Sequence, residues 1–476
     1  MSTHDFDAVR AELGLPSAAR TDEFPDDVLA EATTIAAARA PDVEDATSIP
    51  FVTIDPPGAR DLDQAVFIER IGSGFRVHYA IADLGSAIPA GGAVDSEARR
   101  RGQTIYLPDG RVPLHPPVIS EGSLSLLPDQ VRGAALWTID VDERGEASHV
   151  SVRRARVRSV AQLDYEGVQQ SFDAGSPHPS IEPLADLGRL RRALRVGLEA
   201  VELALPEQEV VAADSPEGPG PDWVVRMRRR TEVDGWNAEV SLLTGMGAAR
   251  LMLGAGVGLL RTLPPAEDEA RAAFLRTARS LGVAVADTAT PSEVLADLDP
   301  DLPASIALMR EATGLLRGAG YVAFDGTPPE QADHAGVGGP YAHVTAPLRR
   351  LADRFGTEIC LAICAEREIP AWVREALPVL GDIMRSSDQA ASKADRTCID
   401  QAEVWELEGR VGEVFDAIVV RAERSQGEVM LVTPPVIATC TGSGLPEGQH
   451  VRVRLAEVDV VRRRVVFGYE KGHVKG

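Results

Sequence analysis

Apolar and polar positions change their period three times along this chain. From Met1 to Ile49 two stretches carry helical spacing, Asp5–Leu13 and Asp26–Arg39, separated by polar and proline-containing turns. Strand-like alternation then takes over to about Arg158, with Phe75–Asp83, Ala135–Val141 and His149–Arg156, the last two joined by the Asp142-Glu-Arg-Gly145 turn. Helical spacing returns over Pro183–Ala204, Ala238–Leu260, Glu267–Leu281, Pro303–Leu316 and Thr345–Arg367, interrupted by a polar Pro/Gly loop over Asp214–Pro221. From about Glu403 short alternating segments predict strands at Glu408–Val414, Ala417–Arg421, Glu428–Val432, Val451–Val458 and Arg464–Tyr469. This order predicts an α+β chain with a helical arm over 1–49, a large domain over 50–400 and an all-β, OB-type barrel over 403–472.

The 476 residues give ample chain for such cores. No uncharged apolar run reaches the roughly 18 residues a spanning helix needs, and the acidic N-terminus lacks the basic, then apolar, plan of a signal peptide. The expectation is a cytoplasmic protein with no membrane contact, and, with no heptad pattern, a monomer. Cys360 and Cys364 lie four residues apart in a helical stretch while Cys398 and Cys440 are scattered, which gives neither zinc spacing nor a disulfide framework, so buried thiols are expected. The net charge of −23 argues against a uniformly cationic surface, yet basic residues cluster at Arg99–Arg101, Arg153–Arg158, Arg226–Arg230 and Arg462–Arg464. Such clusters can line one channel or stand as separate solvated edges.

The chemistry concentrates in Thr53-Ile-Asp-Pro-Pro-Gly-Ala-Arg-Asp-Leu-Asp-Gln-Ala-Val66. A short strand delivers Asp55 to its end, Pro56-Pro57-Gly58 turns the chain back, and alternation puts Asp61 and Asp63 on one side of the next extended segment. Three converging carboxylates repel one another unless a cation joins them, and a hard divalent ion such as Mg²⁺ prefers oxygen ligands. A lone Asp-x-Asp is more often simple turn chemistry. A calcium loop opening at Asp61 fails, because Val66 and Gly72 stand where that loop needs Gly and Glu.

The stretch resembles the signature of the RNB family, the catalytic domain of exoribonuclease II, ribonuclease R and the exosome nuclease: Ile-Asp-x5-Asp-x-Asp-Asp-Ala. Ile54-Asp55 and Asp61-Leu62-Asp63-Gln64-Ala65 match it, with Gln64 in the place of the fourth acid. Val77–Asp83, Gly102–Pro108 with its Tyr-Leu-Pro, and Pro113–Leu127 with Ser123-Leu-Ser-Leu126 are similar to the segments that follow in the family. About 280 residues past the acids, Thr345-Ala-Pro-Leu-Arg-Arg-Leu-Ala-Asp353 resembles its Thr-Ser-Pro-Ile-Arg-Arg-Tyr-x-Asp. Local spacing makes Thr345 an N-cap and puts Arg349 in a helical first turn, where a guanidinium and free N–H groups suit a phosphate.

The resemblance implies a mixed-sheet domain wrapped by helices and an RNA-binding barrel closing the chain. Residues 1–49 are too few for the paired cold-shock domains that precede the catalytic domain in exoribonuclease II, so a short form without them is expected. It further implies a magnesium-dependent 3′-to-5′ exoribonuclease releasing nucleoside 5′-monophosphates from single-stranded RNA. Asp55, Asp61, Asp63 and Gln64 would face Mg²⁺ or Mn²⁺, with Asp61, Asp63 and Arg349 catalytic. Tyr106 would stack on the terminal base, Tyr165 and Glu239 would lie near the ribose, and Asp395, where the family has Glu, would support the site. Two rivals stay open: a silent RNA-binding protein, because Gln64 removes a charge from the metal set, and a phosphodiesterase acting on small nucleotides.

Overall fold

The computed structural model describes residues 4–20, 23–38, 42–203, 205–213 and 222–469. The loop expected at Asp214–Pro221, and the expected helix ends at Arg39 and Ala204, lie outside the described residues. Two helices open the chain, α1 (Asp7–Glu12) and α2 (Asp26–Ala37). They are followed by β1 (Glu44–Asp45), β2 (Phe51–Ile54), β3 (Gln64–Ile71) and β4 (Gly74–Ala82). Helices α3 (Leu84–Ala87) and α4 (Ala93–Arg101) lead to a small hairpin, β5 (Ile105–Leu107) and β6 (Gly110–Val112). Then come β7 (Val131–Val141) and β8 (Ala147–Leu163).

The main sheet has the order β1-β8-β2-β3-β4-β7. Strand β8 pairs antiparallel with β7 from Ala147 to Arg158 and parallel with β2 from Ser159 to Leu163, with β1 alongside Ala155 and Arg156, so the sheet closes on itself. Alternation gives it two apolar faces. Val52, Val66, Val77, Tyr79 and Trp137 pack against the later helices, whereas Phe51, Ala65, Ala80 and Leu136 pack against Val28, Ala32 and Ile35 of α2. Burial of Val28 and Ile35 alone contributes roughly 3–6 kcal/mol, so the N-terminal helices are docked to the domain rather than held away from it.

Helices α5 (Tyr165–Asp173) and α6 (Leu184–Gly197) follow, and then a hairpin absent from the sequence expectation, β9 (Glu207–Ala213) with β10 (Asp222–Arg228). The expected helix over Ala238–Leu260 starts earlier, as α7 (Glu232–Ala255), because Thr231 and Asp234 form a capping box. It stops at Gly256, whose φ of 72° suits glycine, and Val257–Thr262 is strand β11. Beyond α8 (Asp268–Ser280), α9 (Pro291–Ala296) and α10 (Pro303–Ala312), β12 (Gly320–Asp325) pairs with β11. A small pair, β13 (Asp333–His334) and β14 (Gly339–Pro340), precedes α11 (Leu351–Cys364) and the 37-residue α12 (Ala371–Leu407).

The C-terminal unit is a closed five-stranded barrel, as expected: β15 (Val414–Ala422), β16 (Gln426–Leu431), β17 (Ile437–Thr441), β18 (His450–Asp459) and β19 (Arg464–Tyr469). Its membership differs in one strand. Glu408–Val414 is mostly turn, because α12 runs on until Val404 and Leu407 are buried in the barrel core, and β17 supplies the fifth strand instead.

Glu403 ties the barrel to the rest of the chain. This buried α12 carboxylate accepts from Gln208 Nε2 of β9 and from the Ile437 N–H of β17, both at 2.8 Å. Burial pushes its pKa up to about 7. Because the folded pKa lies above the unfolded one, the folded state holds the extra proton between the two values, and stability falls as pH rises through that window. The loss is on the order of 3 kcal/mol, at about 1.4 kcal/mol per pH unit. Glu403→Gln keeps the acceptor and removes the titration. Urea midpoints should therefore show the variant gaining on wild type from pH 5 to 8; parallel pH curves would refute this.

Candidate active site

Asp55 ends β2 with its N–H on the Leu163 carbonyl at 3.0 Å, and Gly58, at a φ of 81°, completes the turn that brings the chain back. Leu62 is wholly buried and anchors the segment between the two following acids. A clamp fixes it from outside. The Ser125 hydroxyl donates to the Arg60 carbonyl at 2.6 Å and accepts from the Leu62 N–H at 3.0 Å, while Leu126 N–H bonds the Leu62 carbonyl. The Ser-Leu segment thus shapes the acid loop, a role its sequence did not disclose.

Asp63 is the most enclosed of the acids, 3% exposed. Its Oδ1 accepts from the Leu348 N–H at 2.7 Å, across 285 residues, and its Oδ2 lies 3.6 Å from Arg349 Nε. Burial drives its pKa well above the usual carboxylate range, against the opposing pull of Arg349. Asp55 is pushed up to about 6, by burial first and by Asp61 in addition, and its Oδ2 is buried without a hydrogen-bond partner. Next to Asp63, Gln64 donates from Nε2 to the Thr345 carbonyl at 2.6 Å. A carboxylate cannot make that bond, because it has no hydrogen to give.

The segment carrying Arg349 departs from the expected helix. Ala346–Arg349 is a turn, and α11 begins only at Leu351. Asp353 is the reason. Its buried carboxylate accepts from the Ala346 N–H at 2.7 Å and from Arg350 Nε and Nη2 at 3.0 and 2.9 Å, folding the preceding residues back over the helix end. Thr345 is therefore not an N-cap, and the Leu348 N–H serves Asp63 instead of an open phosphate site. Arg349 itself remains 42% exposed.

Around these groups the expected substrate residues divide. The Tyr106 hydroxyl donates to Asp61 Oδ2 at 3.3 Å, with the ring 51% exposed. Tyr165 is held by Asn237 Nδ2 at 3.3 Å, and burial, followed by the charge of Asp55, raises its pKa. Glu239 is elsewhere. It lies two residues past Asn237 and so on the opposite side of α7, buried in an ion pair with Arg195. Asn237, not Glu239, is the α7 side chain that meets Tyr165. Asp395 is outside the acid loop but lines, with Tyr106, a cavity of ≈ 380 Å³ along α12.

Among the described residues no three His, Cys, Asp or Glu side chains close on one point as a metal cluster would. The convergence expected from alternation is thus incomplete, since Asp63 turns inward to Leu348 while Asp61 faces Tyr106. The donors still suit Mg²⁺, which is typically held by one or two carboxylates together with water and substrate phosphate. The unpartnered Asp55 Oδ2 is the observation that fits it.

Most arginines of the clusters pair with carboxylates, while no salt bridge among the described residues engages the exposed Arg158 or Arg226. Arg99 pairs with Asp95, Arg100 and Arg101 with Glu97, Arg153 with Glu44, Arg154 with Asp83 and Glu358, and Arg156 with Asp45. Arg228, Arg229 and Arg230 pair with Asp234, Asp301 and Glu207, while Arg463 and Arg464 pair with Glu12 and Glu457.

A closed mixed sheet whose acid loop meets an arginine turn, followed by an OB-type barrel, is the architecture of an RNB protein. The RNB domain family matches residues 43–359, more than half of the chain, and the chain belongs to it. The RNase II-type exonuclease C-terminal S1 domain matches residues 413–470. The exosome complex exonuclease RRP44 homolog A of Arabidopsis thaliana is 27% identical over 369 residues, 73% of this chain and 38% of that protein. The chain spans about half the length of the curated relatives it matches. Its fold is similar to that of Mycoplasma genitalium RNase R, with a TM-score of 0.83 and 18% identity over 97% of this chain and 77% of that one. It is similar also to yeast Ssd1, described as a pseudonuclease, with a TM-score of 0.70 and 18% identity over 90% and 54%. No helix among the described residues is long and apolar enough to cross a membrane.

Proposed function

We propose that this chain is a metal-dependent 3′-to-5′ exoribonuclease that hydrolyses single-stranded RNA to nucleoside 5′-monophosphates. The observation that carries this reading is the bonding of Asp63 to Leu348 and Arg349, which joins the acid loop to the arginine turn at a buried point. In this reading Tyr106 stacks on the terminal base, and Tyr165, oriented by Asn237, meets the ribose. Arg349 swings from Asp63 to the scissile phosphate and offsets the charge that develops there. Water adds at phosphorus and the bond to the 3′ oxygen of the penultimate nucleotide breaks. Asp55, Asp61 and Asp63, with the free amide oxygen of Gln64, would hold Mg²⁺ or Mn²⁺, which when bound supplies charge neutralisation and water activation. Four free cysteines support a cytoplasmic setting, and monomeric action is part of the same reading.

Gln64 favours a second reading. An amide lowers the negative charge of the metal set, so a protein that binds RNA without cutting it is the rival. A 5′-labelled RNA incubated with Mg²⁺ or with EDTA separates them. The proposal expects metal-dependent, stepwise shortening from the 3′ end with mononucleotide release. Intact RNA that shifts in a gel would assign the chain to the silent class.

A further inference from the structure

In a chain of net charge −23, a polyanion needs a place where cations outnumber carboxylates and remain available. The arginine runs do not provide it in one place, because most of their side chains pair with acids and the unpaired Arg158 and Arg226 stand on separate strands, β8 and β10. A cavity of ≈ 430 Å³ between α12 and the start of β12 does. Arg261, Arg385, Lys393 and Arg396 line it against the single carboxylate of Asp388, with Arg385 also paired to Asp382 at 2.8 Å. Arg261 is fixed by Asp388 at 2.9 Å and lies over the Tyr321 ring at 4.6 Å from its centroid, forming a rigid floor. No salt bridge among the described residues engages Lys393 or Arg396, the outer pair.

The position of this cavity connects it to the acid loop. Asp388, Ser392, Asp395 and Ile399 succeed one another at helical spacings of four, three and four, so they form one ridge of α12. The first two line the basic cavity, and the last two line the cavity that opens at Tyr106. One helix ridge therefore separates the proposed seat of the terminal base from the cationic hollow. The two are also held in register, because the Ser387 carbonyl accepts from Gln103 Nε2 at 2.9 Å, three residues before Tyr106.

We infer that this cavity binds backbone phosphates of the RNA upstream of its 3′-terminal nucleotides. The inference rests on the exoribonuclease reading for its substrate. Lys393 and Arg396 are the residues that reach for the phosphates, and Arg261 sets the local field. A subsite of this kind acts on long substrates only, since a dinucleotide never extends across the ridge.

The test is Lys393→Glu with Arg396→Glu, assayed on a dinucleotide and on a 20-nucleotide RNA, with thermal melts to establish folding. kcat/KM for the long RNA should fall at least ten-fold while that for the dinucleotide stays within two-fold. Affinity of the long RNA, measured by fluorescence anisotropy in EDTA, should lose about 1.4 from its log–log salt slope, at roughly 0.7 for each phosphate contact on single strands. Should the double variant misfold, Lys393→Gln with Arg396→Gln keeps the shape and should show the same selectivity at smaller size. An unchanged long substrate, or equal losses on both substrates, would overturn the inference. A wild type that cuts neither RNA would defeat the exoribonuclease reading alone, because the anisotropy slopes still decide whether the cavity is used.

Discussion

Asp63→Asn should reduce the rate of RNA hydrolysis by about three orders of magnitude while leaving the protein folded and able to bind RNA. Asparagine preserves the shape and, through Oδ1, the bond from the Leu348 N–H, so the link between the acid loop and the arginine turn survives. What it removes is the charge that faces Arg349 at 3.6 Å and that a cation would meet. Interactions aimed at charge developing in the transition state typically contribute on the order of 10²–10³ each, and here metal and guanidinium are both affected. The loss should therefore appear in kcat, with RNA affinity in EDTA nearly unchanged. Single-turnover hydrolysis measured beside a gel shift checks this. A variant retaining a tenth of wild-type activity would mean that Asp63 is a structural acid whose charge takes no part in the reaction.

Asp353→Ala should be the most destabilising single change near the site, at about 3–5 kcal/mol. The carboxylate is wholly buried and has two duties, holding the Arg350 guanidinium and closing the turn through the Ala346 N–H. Truncation leaves a buried cation and a buried N–H without partners, the costly half of removing an ion pair. Urea unfolding with stabilities compared at one pH measures it. Asp353→Asn should fall between, because an amide oxygen still accepts from Ala346 while the charge on Arg350 goes unanswered. A midpoint for Asp353→Ala equivalent to less than 1 kcal/mol would show that the turn is held by other contacts. In the fraction that stays folded, Arg349 should be mispositioned, and hydrolysis should fall further than unfolding alone accounts for.

Local sequence made a good part of this legible. The helical spacing of α2 and α8, the β4 and β7 alternation and the final strand were all readable, because each depends on residues within one or two turns of one another. Of the candidate positions, Tyr106 meets Asp61 and Arg349 lies beside Asp63, so both reach the acid loop. The misplacements have a common cause. Thr345 has the chemistry of a cap and Glu239 that of a polar site residue, but Asp353 took over the turn, and Arg195 on a different helix captured Glu239. Asp353 stood in the same motif and Asn237 two residues before Glu239; nothing in their immediate neighbours distinguished the roles.

By itself, then, the amino-acid sequence determined which chemistry is available: an oxygen-rich acid loop, an arginine turn, an amide at position 64 and an arginine-rich but strongly acidic chain. Tertiary structure alone decided how those groups are spent. Gln64 meets Thr345 across 281 residues, Arg153, Arg154 and Arg463 meet carboxylates brought to them by folding, and cations from β11 and α12 gather in a hollow that no stretch of sequence announces. The physical reason is range. Periodicity and capping act over a few residues, whereas hydrogen bonds and ion pairs form between whatever groups the packing of the core brings within about 3–4 Å.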